Sequence, residues 1–445
     1  MLRRAGQRFA IAAFAGLAFV AIGCSSGHNG TVARTASPEA TAGATAVIGT
    51  AEPLPPSLEK VLQEVAALRH LPAPPNLKAG LVSRSQLPAL LNRELTADDR
   101  ASFEQTTTLY RLLGHLRKDQ DYQSVYDQFT SGAVVGFYSP LDKELWVVHP
   151  DGQATDFDHL SDAEESTLAH ELTHAVQDYS FNLSAVFAAT KENRDRSLVS
   201  TCVIEGDAVT TESAFDAKYT DVPIAPSSGT PGAMLVVDRT ALGDVPASIQ
   251  RELLLPYTAG RDWVAQVRQA RGDTAIDLML KDPPDGTAYM LHPELLTSGF
   301  TPANVTLPDL ATVLGHGWTR QSGGQFGEFE LQNYLQLRIP GLDAINAADG
   351  WVGDHYDVYV EDQESVAVFR VAFDSAAHAQ RFEAAQVKFL KAAGGKDSSQ
   401  DGLALTATND GNTTARAVVR GSEVLFAIGS SKDIAAKALG AIANG

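Results

Sequence analysis

The apolar positions of this 445-residue chain change their period along its length. Phe9 to Ile22 is unbroken apolar sequence, and residues 25 to 56 show no period at all. From about Ser57 the spacing becomes globular. Helical stretches at 57–69 and 96–118 precede two runs rich in β-branched and aromatic residues, 133–138 and 144–148. Ser139, Pro140, Leu141, Asp142 and Lys143 lie between those runs as a turn, so the pair reads as a hairpin. Residues 161–180 follow as a helix, opened by a capping box of Ser161 with Glu164 and striped by Leu168, Leu172, Ala175, Val176 and Tyr179. A second helix spans about 194–213, and helical segments continue over about 246–281. Past Thr306 come helix 327–338, strands 356–360 and 365–373, helix 376–392, strands 403–408, 414–419 and 423–428, and a last helix 432–443.

These elements predict an α+β chain. A mainly helical domain with a small β-sheet occupies 57–305, and a smaller α+β domain of two strand–strand–helix units occupies 306–445. With 44% hydrophobic and 20% charged residues, the chain has enough apolar sequence for two cores, which excludes the disordered and fibrous classes. A formal charge of −19 excludes electrostatic binding to nucleic acid or to anionic headgroups.

Attachment to a membrane is expected by another route. Arg3, Arg4 and Arg8 precede the apolar stretch, which ends in Ala21-Ile22-Gly23-Cys24. This resembles a bacterial lipobox, with Ala21 where leucine is usual. The expectation is a lipoprotein signal peptide over 1–23, a lipidated Cys24, and a flexible tether over 24–56, placing the protein in the cell envelope, facing outside the cytoplasm. A simple secretory signal is the alternative. As a coil the tether would span roughly 30 Å. Loss of the leader removes three arginines and no acids, taking the formal charge from −19 to −22, and leaves Cys202 as the sole free thiol. With no internal disulfide to form, stability falls to packing or to a bound ion.

The candidate chemistry lies in HELTHAVQDY, residues 170–179. His170 and His174 stand one helical turn apart, so both imidazoles reach a single ion while Glu171 projects beside it, a geometry suited to zinc. The bland reading is two solvated histidines on an exposed face. In the second helix Leu198, Cys202, Glu205 and Val209 share one stripe, which puts Glu205 on an apolar face. A carboxylate there is costly unless it binds metal or pairs, for instance with Arg194 or Arg196. Gly206 in mid-helix costs about 1 kcal/mol relative to alanine unless backbone approaches closely. A close crossing of the two helices would use it and carry Glu205 to the ion. Cys202 could compete for metal but reads as a small core residue.

On these residues the chain resembles the thermolysin-like gluzincins, which share the HELTHAV run, the Asp-Tyr after it and a downstream glutamate, here Glu205 in VIEGDA. It resembles more closely a set of bacterial gluzincin-like proteins, often lipoproteins, through GFYSPLDKELWVV, HELTHAVQDY, VIEGDA, MLHPE and GWVGDHY, across most of residues 130–390. The resemblance implies zinc held by His170, His174 and Glu205, with Glu171 as general base in hydrolysis of a peptide or protein substrate. It also implies an edge strand at Phe137–Tyr138 that aligns substrate, and a downstream oxyanion donor. For that donor His292 in MLHPE is preferred, with Tyr257 and Tyr289 as alternatives. One departure matters: the acid expected four residues after the ligand glutamate is Val209 here, so Asp207 or Asp178 is left to orient a ligand histidine. The competing reading is a non-catalytic, zinc-stabilised lipoprotein that binds a protein partner. Oligomeric state is not legible.

Overall fold

The computed structural model describes residues 19–22, 50–149, 157, 160–221, 244–400, 402–416 and 420–444. Cys24, residues 25–49 of the expected tether, and all of the expected leader except Phe19–Ile22 lie outside them. Among the described residues helices and strands are mixed, and the strands form two sheets. The first sheet has the order β1-β4-β5-β3-β2, from β1 (Phe19–Ile22), β2 (Glu52–Pro53), β3 (Lys78–Ser83), β4 (Val134–Ser139) and β5 (Glu144–His149). β4 and β5 form the expected hairpin, with Gly136 opposite Val147 and Tyr138 opposite Leu145. The partner beyond β5 is parallel β3, which sequence reasoning missed. Phe19–Ile22 lies antiparallel on the outer edge of β4, against the helices Tyr122–Ala133 and Asp162–Phe181. The tether ends earlier than expected, because Ala51 is already buried and Glu52–Pro53 pairs with β3.

The second sheet is antiparallel, with the order β6-β7-β8-β12-β11-β10-β9. Its strands are β6 (Thr319–Gly324), β7 (Trp351–Glu361), β8 (Glu364–Phe373), β9 (Lys396–Gln400), β10 (Leu403–Ala407), β11 (Thr413–Arg416) and β12 (Glu423–Gly429). Helices Ala376–Ala392 and Lys432–Asn444 pack on it. The GWVGDHY run turns at Gly350 and is strand β7 from Trp351 onward, where Asp354 accepts from Phe326 N at 2.6 Å, Gly327 N at 2.8 Å and Trp351 Nε1 at 2.8 Å.

The boundary expected at 305/306 runs across a shared core. Phe103, Leu109, Tyr110 and Leu112 of helix Ala97–Leu113 belong to the same buried cluster as Val358, Phe369 and Phe426 of the second sheet. The end of that helix is tied there too. Its carbonyls at Arg111 and Leu112, which have no acceptor role left inside the helix, accept from Asn412 Nδ2 at 2.9 and 3.3 Å.

Candidate metal centre

The metal helix (Asp162–Phe181) begins as its sequence requires. The Ser161 side chain accepts from Glu164 N, and the Glu164 carboxylate accepts from Ser161 N at 2.8 Å. It is buried on all sides from Leu168 to Asp178, so His170 and His174 do not sit on a solvated face. Tyr179, assigned to the core stripe from its spacing, is exposed instead. The long helix (Arg194–Tyr219) covers the histidine side; it runs past the expected end near 213 because Phe215 packs into the core.

Glu205 comes from the long helix, and three ligand atoms converge. His170 Nε2 is 3.2 Å from Glu205 Oε2, His174 Nε2 is 3.4 Å from the same oxygen, and the two Nε2 atoms are 3.2 Å apart. A tetrahedral ion with bonds of about 2.0–2.1 Å places its ligands about 3.3–3.4 Å from one another, so this triangle could hold a metal ion. Among the described residues no fourth His, Cys, Asp or Glu joins the group.

Each histidine has its tautomer set from behind. His170 Nδ1 lies 3.1 Å from Glu212 Oε2, and His174 Nδ1 lies 2.9 Å from Gln177 Oε1. Both partners are acceptors, so each Nδ1 carries the hydrogen and each Nε2 presents a lone pair. The Gln177 amide is oriented in turn, because its Nε2 donates to Ile204 O at 3.0 Å and to Asp207 Oδ2 at 2.8 Å. Asp207 is pinned by Arg69 at 2.8 Å and by Arg268. Burial pushes the Asp207 carboxyl up, but the two guanidinium groups and Gln177 hold it below its usual range.

The electrostatics favour positive charge beside Glu205. Burial pushes the Glu205 carboxyl up, yet the two imidazoles outweigh it and hold it near 2. Burial also opposes a charge on His170, but Glu205 and Glu212 raise its pKa well above the usual value, while His174 is lowered by burial.

Two assignments change. Asp178 does not orient a ligand histidine: it accepts from Tyr138 Oη at 2.7 Å, Leu183 N at 3.0 Å and the Lys143 ammonium, fastening the hairpin to the metal helix. Asp207 acts one residue removed, through Gln177. The direct contacts fall to Gln177 and Glu212, which sequence reasoning missed; the available signal was position, three residues after His174 and seven after Glu205. Gln177→Leu is expected to weaken the triad's affinity for a divalent metal ion about 10- to 100-fold in competition with a chromophoric chelator. Asp178→Asn should leave that affinity within about threefold, since its bonds go to the hairpin.

The preference between His292 and Tyr257 also reverses. His292 Nε2 bonds Glu328 at 2.9 Å, and Tyr289 Oη donates to Phe300 O at 2.7 Å, so neither turns to the triad. The Tyr257 ring lies 6.2 Å from that of His170 at an interplanar angle of 22°, and its hydroxyl bonds Glu205. Tyr257 sits on a π-turn (Pro256–Gly260) pressed onto the long helix. A Cβ on Gly206 would meet Gly260 O at 2.7 Å. The close approach expected of Gly206 is therefore made to this turn and not to the metal helix. Cys202 packs in the apolar core beside Gly260. Glu171 is fully buried, and its Oε2 accepts from Tyr138 N of β4 at 2.8 Å.

Residues 314–438 match the model of a family described as a domain of unknown function (DUF8575). No curated protein and no solved structure matches the chain.

Proposed function

We propose that the protein is a zinc metallopeptidase of the gluzincin type, held in the bacterial cell envelope by a lipidated Cys24. The observation that carries this is the buried triangle of His170, His174 and Glu205, three protein ligands with Glu171 next in sequence to one of them. A structural zinc site is usually closed by a fourth protein ligand, and a catalytic one keeps that position open. A bound zinc would polarise a substrate carbonyl and make a water acidic at neutral pH. The chain's own groups supply the rest. Glu171 takes the proton of the attacking water and passes it to the leaving amine. With Glu205 engaged by the ion, the Tyr257 hydroxyl would turn its single hydrogen from that carboxylate to the oxyanion as it forms. Tyr138 N–H fixes the Glu171 carboxylate against β4, so base and edge strand are placed together. Phe19–Ile22 on the outer side of β4 marks that edge as one where an extended segment fits by strand addition. No helix among the described residues is long and apolar enough to cross a membrane.

The purified mature chain is expected to carry about one zinc and to cut extended peptides in a proteome-derived library. Chelation should stop cleavage, and added zinc should restore it. About one zinc with no cleavage after long incubation would leave the reading of a zinc-stabilised binding protein in its place.

A further inference from the structure

The short helix Glu328–Leu335 belongs to the C-terminal part, yet its polar residues point inward. Glu328, Glu330, Gln332 and Asn333 are at most 5% exposed. Buried groups of this kind settle where their partners are, so they fix position as well as charge. Glu330 Oε1 accepts from Arg194 Nη2 at 3.1 Å and from Tyr110 Oη at 3.2 Å. The same Arg194 nitrogen donates to Glu252 Oε1 at 2.9 Å, and the single hydroxyl hydrogen of Tyr110 is shared between Glu330 and Glu252, the nearer of the two. Asn333 adds a second tie, donating to Ser248 O at 3.1 Å and accepting from Arg251 Nε at 2.9 Å.

Ser248, Arg251 and Glu252 all lie on helix Ala247–Leu254, which runs through Leu255 into the π-turn that carries Tyr257. Arg194 opens the long helix that carries Glu205. The helix at 328–335 therefore grips both elements whose relative placement decides whether Tyr257 meets Glu205.

We propose that Glu330 is a positioning residue for the metal centre: acting through Arg194 and Glu252, it seats the π-turn so that Tyr257 lies on Glu205 and His170, which makes the C-terminal part a component of the hydrolytic unit. This rests on the peptidase reading for its kinetic consequence, but its spectroscopic consequence stands apart from it.

The test uses the full mature chain loaded with cobalt(II), whose visible absorption reports the ligand geometry. Glu330→Ala should shift the cobalt bands as Tyr257→Phe does, while metal affinity stays within about threefold, because the histidine tautomers are set elsewhere. With zinc, kcat should fall about 10- to 100-fold at unchanged KM. Glu330→Gln should restore most of it, since an amide oxygen still accepts from Arg194. In a Tyr257→Phe background Glu330→Ala should add no further loss. A folded Glu330→Ala with the wild-type cobalt spectrum and kcat overturns the proposal, as does a loss that multiplies with that of Tyr257→Phe. If Glu330→Ala does not fold, Asn333→Ala breaks the second tie and is read the same way. Should the wild type cut no peptide, the peptidase reading fails and the cobalt comparison still decides this one.

Discussion

Glu171→Gln is expected to lower peptide hydrolysis by about a thousandfold while the chain still binds about one zinc, the scale that a positioned general base contributes. The substitution is narrow. Glutamine keeps a carbonyl oxygen to accept from Tyr138 N, the bond that Glu171 Oε2 makes at 2.8 Å, so the hairpin stays seated against the metal helix. What is lost is the capacity to take up a proton. Zinc should remain because the triad consists of His170, His174 and Glu205 alone. Metal content by mass spectrometry and initial rates on a cleaved peptide, measured on the same preparation, read both halves. A variant that keeps its zinc and cuts at the wild-type rate would remove Glu171 from the mechanism.

Arg194→Leu is expected to have the largest effect on stability, about 3–5 kcal/mol at pH 8, the scale for stranding a buried charge. Arg194 lies between Glu252 Oε1 at 2.9 Å and Glu330 Oε1 at 3.1 Å, and both carboxylates are buried. Without the guanidinium they face each other in the core. Burial, reinforced by the Glu330 charge, pushes the Glu252 carboxyl up to about 8, against the pull of Arg194. A carboxyl raised in this way holds a proton that the unfolded chain releases from about pH 4.5 upward. The stability carried by that proton is present in mild acid and is lost as the pH climbs toward 8. Removing Arg194 deepens this dependence. Its deficit should be greatest at pH 8 and shrink toward pH 5.5, where the carboxyl folds in its neutral form. Thermal unfolding of both proteins at the two pH values measures it; a deficit that does not change with pH would contradict the account.

The parts of the structure legible in the sequence are those where a local pattern and a local cause coincide. The metal helix announced itself through Ser161 with Glu164 and through the spacing of Leu168, Leu172 and Val176, and the helix 376–392 matched its pattern residue for residue. The triad was legible because burial of Glu205 on an apolar stripe has few explanations. Strands β6 and β9 were not, because Thr319–Gly324 and Lys396–Gln400 lie at the two edges of the sheet and carry polar residues there, without the alternation that marks a half-buried strand. Asp178 and His292 show a different limit. Both are chemically suitable, and only the fold decides that one faces Lys143 and the other Glu328. Tyr257 is the converse: its place beside the triad depends on Gly206 meeting Gly260, a contact with no signature beyond one unexplained glycine.

The Asn412 cap on helix Ala97–Leu113 bears on how the molecule is made. The two ends of that contact are some 300 residues apart, so the helix end and the cluster around Tyr110 wait for almost the whole chain to emerge in sequence order. Bringing such distant segments together costs on the order of 5 kcal/mol of chain entropy, to be recovered only when the sheet and its cluster close as well. A nascent chain that already displays HELTH is therefore still without the scaffold behind Tyr257. On the peptidase reading proposed above, assembly order alone would delay completion of the centre until nearly the whole chain has been made.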